Sequence, residues 1–221
     1  MSKLISRILV LYLFTSITTS YLHAQDPKRF KGEIKTLKSK VYNFSRGEEV
    51  YLFTGSSSIR KWGNIPEYFP EKNIINNGFG GSQMSDLLHY CKHLILKYTP
   101  TKVFIYEGDN DLSSKKTSEE ILATTKALVG KIKSKLPKVE IIIISPKPSL
   151  SRWPLKGKYL ELNSDLKNYC ESKPDLSFAD VWYPMLNEEG NPIENIFLED
   201  GLHMNSKGYD IWAKVLRKHI E

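Results

Sequence analysis

Short apolar runs alternate with longer stretches of helical spacing along most of the chain. "EVYLFTG", "NIINNGFG", "KVFIYEG", "VEIIIISP" and "LSFADVW" read as five strands, each short and bounded by Gly, Pro or polar residues. "VEIIIISP" is the most apolar and belongs at the centre of the sheet. Between them, "SQMSDLLHYCKHLILKYTP" has apolar residues at helical spacing and stops at Pro100. "TSEEILATTKALVGKIKSKLP" opens on a Ser-Glu-Glu start signal; "GKYLELNSDLKNYCESKP" and "SKGYDIWAKVLRKHI" complete the helical set. This alternation predicts an α/β protein: a three-layer α/β/α sandwich around a mainly parallel five-stranded sheet. Residues 25–48 read as a polar lead-in with a short helix, and 49–221 as one domain.

The first 24 residues have a different pattern. Lys3 and Arg7 precede an apolar run from Ile8 to Phe14, then a Ser/Thr-rich segment ends at "LHAQ". That is the layout of a secretory signal peptide over 1–24, with cleavage expected after Ala24, although Leu22 is larger than the small residue preferred there. Thr15, Ser16, Thr18 and Thr19 interrupt the apolar run before it reaches the roughly 18 residues of a spanning helix. An exported chain without stable membrane insertion is the expectation, periplasmic or secreted.

Composition narrows the classes further. A chain of 221 residues with 40% hydrophobic and 26% charged residues is an ordinary globular domain with a sizeable core. The net charge of +7 includes the two basic residues of the leader, and the remaining excess is dispersed. Without an aromatic-interleaved basic stripe, nucleic acid is not an expected partner. Cys91 and Cys170 supply no disulfide framework, and both sit in amphipathic helical patterns that favour buried free thiols.

In a parallel sheet the chemistry gathers at the carboxyl ends of the strands. Those ends carry "GSSS", "GFGGS", "EGDND" and "SPKPSLSRW". Before the last helix stands "DGLH", in which Asp200 and His203 share one short loop. A carboxylate there can fix the imidazole tautomer and leave the second ring nitrogen as a general base. Rival chemistries lack parts. His89 and His93 are four apart on a helix, but Tyr90 stands where a His-Glu-x-x-His motif has Glu. Asp109 and Asp111 lack the spaced partners of a calcium loop, and Glu107 with Asp109 reads as loop polarity. A Gly-x-Ser-x-Gly elbow would need glycine where Ile59 stands. No metal or cofactor is expected.

The four blocks, in this order from Gly55 to His203, resemble the SGNH hydrolases, also called the GDSL esterase/lipase family. The resemblance implies a flavodoxin-like sheet and an acyl-enzyme esterase mechanism without metal or cofactor. It makes Ser57 the nucleophile, with Ser56 replacing the family's usual Asp, and Asp200 and His203 the acid and base. It places an oxyanion hole on the N–H groups of Ser57 and Gly81 and the side-chain amide of Asn110, leaving Gly78 and Gly80 as turn glycines. Arg152 and Trp153 follow the fourth strand, where they either line a substrate pocket or pack the loop. The implied substrate is a small-molecule, lipid or glycan ester. A carbohydrate O-acetylesterase and a catalytically silent glycan- or envelope-binding domain are the alternatives.

Overall fold

A computed structural model describes residues 26–45 and 47–220. The leader read over 1–24 and its cut before Gln25 lie outside the described residues. All five expected strands form: β1 (Val50–Gly55), β2 (Asn73–Gly78), β3 (Lys102–Tyr106), β4 (Glu140–Ile144) and β5 (Leu176–Ala179). They make one parallel sheet in the order β2-β1-β3-β4-β5, the flavodoxin-like arrangement.

Both faces of the sheet are buried, so alternate strand residues enter two separate cores. Leu52, Val103, Ile105, Ile141 and Ile143 face the larger core. It is covered by α1 (Lys31–Ser39), α4 (Met84–Leu94), α6 (Ser118–Lys133) and α7 (Lys156–Glu171). Phe53, Phe104, Ile142 and Ile144 face the second core. Its cover is α2 (Ser57–Lys61), α3 (Ile65–Tyr68) and α8 (Ser206–Arg217). Phe53 and Phe104 stack across neighbouring strands with ring centroids 4.4 Å apart. Such a pair is worth about 0.5–1.5 kcal/mol beyond its area burial.

The lead-in is integrated into the domain. Phe30, Ile34 and Leu37 enter the larger core, while Glu33 and Arg29 reach the loop after β2. Two short helices after strands, like the four-residue α3, had no periodic signal, because five or fewer residues are less than two turns. They are α2 and α5 (Asp109–Ser113), which begin directly after β1 and β3. Both strands lie at the point where the strand order reverses, so their ends flank a crevice.

Cys91 and Cys170 are buried free thiols, and burial pushes them up to about 11 and about 12. No helix among the described residues is long and apolar enough to cross a membrane.

Candidate active site

The serine triplet resolves by burial and direction. Ser56 and Ser58 are each 2% exposed, whereas Ser57 opens α2 and remains partly accessible. Gly55 permits this turn: its φ is +122°, and a Cβ there would lie 2.0 Å from the Tyr106 carbonyl oxygen. Across the crevice, His203 Nε2 lies 2.9 Å from Ser57 Oγ, and His203 Nδ1 lies 2.5 Å from Asp200 Oδ2.

The Asp200–His203 loop is shaped from both ends. Gly201 adopts φ +61°, and Asp200 Oδ1 accepts the N–H groups of Leu202 and His203 at 2.9 and 2.8 Å. Burial would raise the Asp200 carboxyl, but hydrogen bonds from the His203 ring and these amides hold it well below the usual carboxylate range. The helix α8 is capped by Asn205, which leaves Asp200 free to serve the imidazole.

Gly80 and Gly81 divide two tasks. The Gly80 N–H donates to the Glu33 carboxylate at 3.2 Å to each oxygen, and the Gly81 carbonyl accepts from Arg29 Nη2 at 2.9 Å. Gly81 is exposed with φ +71°, and its N–H is the one that Glu33 does not take. Gly78, expected as a turn glycine, is instead the last residue of β2. A Cβ there would meet the backbone nitrogen of Arg60 at 2.3 Å, so its absence lets α2 cross the strand.

Asn110, second in α5, gives its Nδ2 to Ser56 Oγ at 2.7 Å and to the Ser82 carbonyl at 2.9 Å. Its Oδ1 accepts from Arg152 Nη2 at 3.0 Å. Arg152 also donates to Asp109 Oδ1 at 2.6 Å. The guanidinium therefore binds site residues, and Trp153 stacks on Trp182 at 5.9 Å, packing the loop.

The loop polarity expected for Glu107 and Asp109 is corrected here, since both are buried. Asp109 accepts from the Tyr106 and Tyr159 hydroxyls as well as Arg152. Burial would raise its carboxyl, but Lys147, Arg152 and the Tyr159 hydroxyl hold it below its ordinary value. Glu107 Oε1 accepts from Ser82 Oγ at 2.6 Å, while Oε2 has no hydrogen-bond partner among the described residues. Burial, reinforced by the Asp111 carboxylate, pushes this carboxyl well above its ordinary value. Asp111 accepts the Met84 N–H at 3.0 Å and pairs with Lys116 at 2.8 Å, which fastens α5 to α4.

Lys147 was missed in the sequence. It is fully buried, and its Nζ donates to the Leu202 carbonyl at 2.6 Å inside the Asp-Gly-Leu-His loop. Burial pushes it down to about 8, although Asp109 and Asp200 favour its charged form. The available signal was its place between two prolines directly after the most apolar strand. His89 is exposed, His93 is half-buried, and no group of three His, Cys, Asp or Glu residues among those described is arranged to hold a metal ion.

A parallel sheet with a serine, imidazole and carboxylate aligned at its switch point defines the class of serine hydrolases. The model of the GDSL-like lipase/acylhydrolase family matches residues 50–211, and the chain belongs to that family as a serine ester hydrolase. No curated protein matches the chain. Among solved structures it is similar to a Streptococcus pneumonia protein provisionally described as a platelet activating factor. That pair has TM-score 0.75 and 22% identity, over 88% of this chain and 92% of the other. A GDSL-like lipase from Bacteroides thetaiotaomicron gives TM-score 0.71 and 19% identity, over 88% and 97%. A catalytic variant of an acetylxylan esterase from Geobacillus stearothermophilus gives 0.63 and 20%, over 79% and 95%. At these identities the likeness is one of fold.

Proposed function

We propose that this chain is an exported esterase that hydrolyses carboxylic esters through an acyl-enzyme on Ser57. The observation that carries the reading is the aligned Ser57–His203–Asp200 set, with contacts of 2.9 and 2.5 Å. Ser57 Oγ attacks the ester carbonyl while His203 Nε2 takes its proton. The resulting oxyanion is held by the N–H groups of Ser57 and Gly81 and by Asn110 Nδ2. Ser57 is the first residue of α2, where N–H groups have no intrahelical acceptor. At Asn110 the oxyanion competes with Ser56 Oγ for one N–H. Collapse expels the alcohol, which His203 protonates. A water molecule, deprotonated by His203, then releases the acid and regenerates Ser57.

Deacetylation of a carbohydrate ester is the second reading. Fold likeness to an acetylxylan esterase motivates it, beside the likeness to a GDSL-like lipase, and neither ranks the two substrates. The basic, apolar, then polar order of residues 1–24 supports export.

One experiment addresses reaction and substrate together. Nitrophenyl esters of increasing acyl length are assayed beside an acetylated xylooligosaccharide, with wild type and Ser57→Ala. Turnover that vanishes in Ser57→Ala is expected; turnover that persists would overturn the acyl-enzyme. Intact mass of protein from the native host should give a chain beginning near Gln25, and retention of Met1–Ala24 would overturn export.

A further inference from the structure

The β4–α7 loop touches both halves of the proposed machinery. Its Lys147 and Ser151 bind the Asp200–His203 loop, at the Leu202 and Gly201 carbonyls. Its Arg152 turns the other way. One guanidinium nitrogen donates to the Asp109 carboxylate at 2.6 Å and the other to the side-chain oxygen Oδ1 of Asn110 at 3.0 Å.

An asparagine amide has a donor end and an acceptor end of nearly the same shape. Only the donor end stabilises an oxyanion; rotated by half a turn, the same side chain presents a carbonyl oxygen and repels it. With Asn110 Oδ1 bound to a guanidinium, that rotation would set two donors face to face. The guanidinium is itself immobilised, because Asp109 is buried and also held by the Tyr106 and Tyr159 hydroxyls.

We infer that Arg152 is a positioning residue for catalysis, which orients the Asn110 amide with its Nδ2 toward the oxyanion. The inference rests on the acyl-enzyme reading and adds to it a residue that need not touch substrate. Arginine is required over lysine, because one planar fork reaches two acceptors at once while an ammonium is a point donor.

The test is a double-substitution cycle on nitrophenyl acetate, with kcat and KM measured separately. Arg152→Lys keeps a cation beside Asp109 and loses the second arm. Its kcat is expected to fall about tenfold to hundredfold, toward the loss typical of a removed oxyanion donor, with KM nearly unchanged. In an Asn110→Ala background the same substitution should change kcat by less than about twofold, the additivity error of independent sites. An equal kcat loss in both backgrounds, or an effect confined to KM, would overturn the inference and make Arg152 a substrate contact or a purely structural residue. An unchanged kcat in Asn110→Ala alone would overturn the oxyanion reading and the inference with it. If Arg152→Lys does not fold, Arg152→Met paired with Asp109→Asn removes both charges of that ion pair together. The same comparison between backgrounds, made against Asp109→Asn, then decides.

Discussion

Ser57 Oγ and His203 Nε2 stand 2.9 Å apart although 146 positions separate them in the chain. Ser57 is delivered by the first strand of the sheet and His203 by the loop before the last helix, so the contact exists only when the whole domain is folded. Its alignment singles out one of three adjacent serines.

A fluorophosphonate probe should therefore label the protein once, at Ser57. Ser57→Ala should abolish labelling, while Ser56→Ala and Ser58→Ala retain it, because those two hydroxyls are buried. Intact-mass analysis of the three variants checks this, and labelling retained in Ser57→Ala would refute the assignment.

Ester hydrolysis should fall on acidification, because imidazolium cannot accept the serine proton. Asp200 does not set that limb, since its carboxyl is held well below the usual range and stays ionised. Asp200→Asn keeps an acceptor for the Leu202 and His203 amides but presents the wrong partner to His203 Nδ1. The corresponding loss in a serine protease is about 10⁴ in kcat. Here the backbone contacts should retain the ring better, making Asp200→Asn less damaging than His203→Ala. Chelator should leave all rates unchanged. A pH–rate profile of wild type and both variants, with and without chelator, measures each outcome.

Lys147 predicts a stability signature on the alkaline side. Burial lowers its folded pKa to about 8, below the ordinary 10.5, so between these values the unfolded chain binds more protons. Stability from this residue rises with pH across that window, as the cost of burying a charged lysine disappears. Lys147→Met removes the contribution. The Tm of wild type minus that of the variant should increase from pH 7 to pH 10, read by thermal melts; a constant difference would contradict it.

Glu107 predicts the opposite trend at lower pH. Its folded pKa is raised by burial, so its contribution is full below the ordinary carboxylate pKa. That contribution is lost as pH rises toward the folded value, because only the unfolded chain ionises. Glu107→Gln keeps an acceptor for Ser82 and cannot ionise. Its Tm relative to wild type should therefore improve between pH 4 and pH 7, in the same melts. A gap that stays flat would mean the carboxyl is charged in the fold.

Part of the fold and of the site is legible in the sequence alone. The alternation of strands and helices follows from local periodicity, since side-chain direction repeats every two residues in a strand and about 3.6 in a helix. The placement of Ser57, Gly81 and Asn110 after strand ends, and of Asp200 and His203 in the loop before the last helix, followed from that alternation and from motif order. The short helices α2 and α5 were not legible, because a segment of fewer than two turns repeats no face.

Tertiary structure decided the rest. The strand order set β1 beside β3, so that Gly55 pairs with Tyr106 and the two polar strand ends share a crevice. It buried Glu107, which read as loop polarity in one dimension, and Lys147, which carried no reading at all, because burial depends on what packs over a residue from elsewhere. Leu202, 55 positions away, bonds Lys147, and Phe197 lies under its cation at 5.5 Å. It also turned Arg152 onto Asn110, 42 positions back. Hydrogen bonds and desolvation act over a few ångströms in space, whatever the separation in sequence. Periodicity reports only the face a residue occupies, and the partner it meets there is determined by the path of the whole chain.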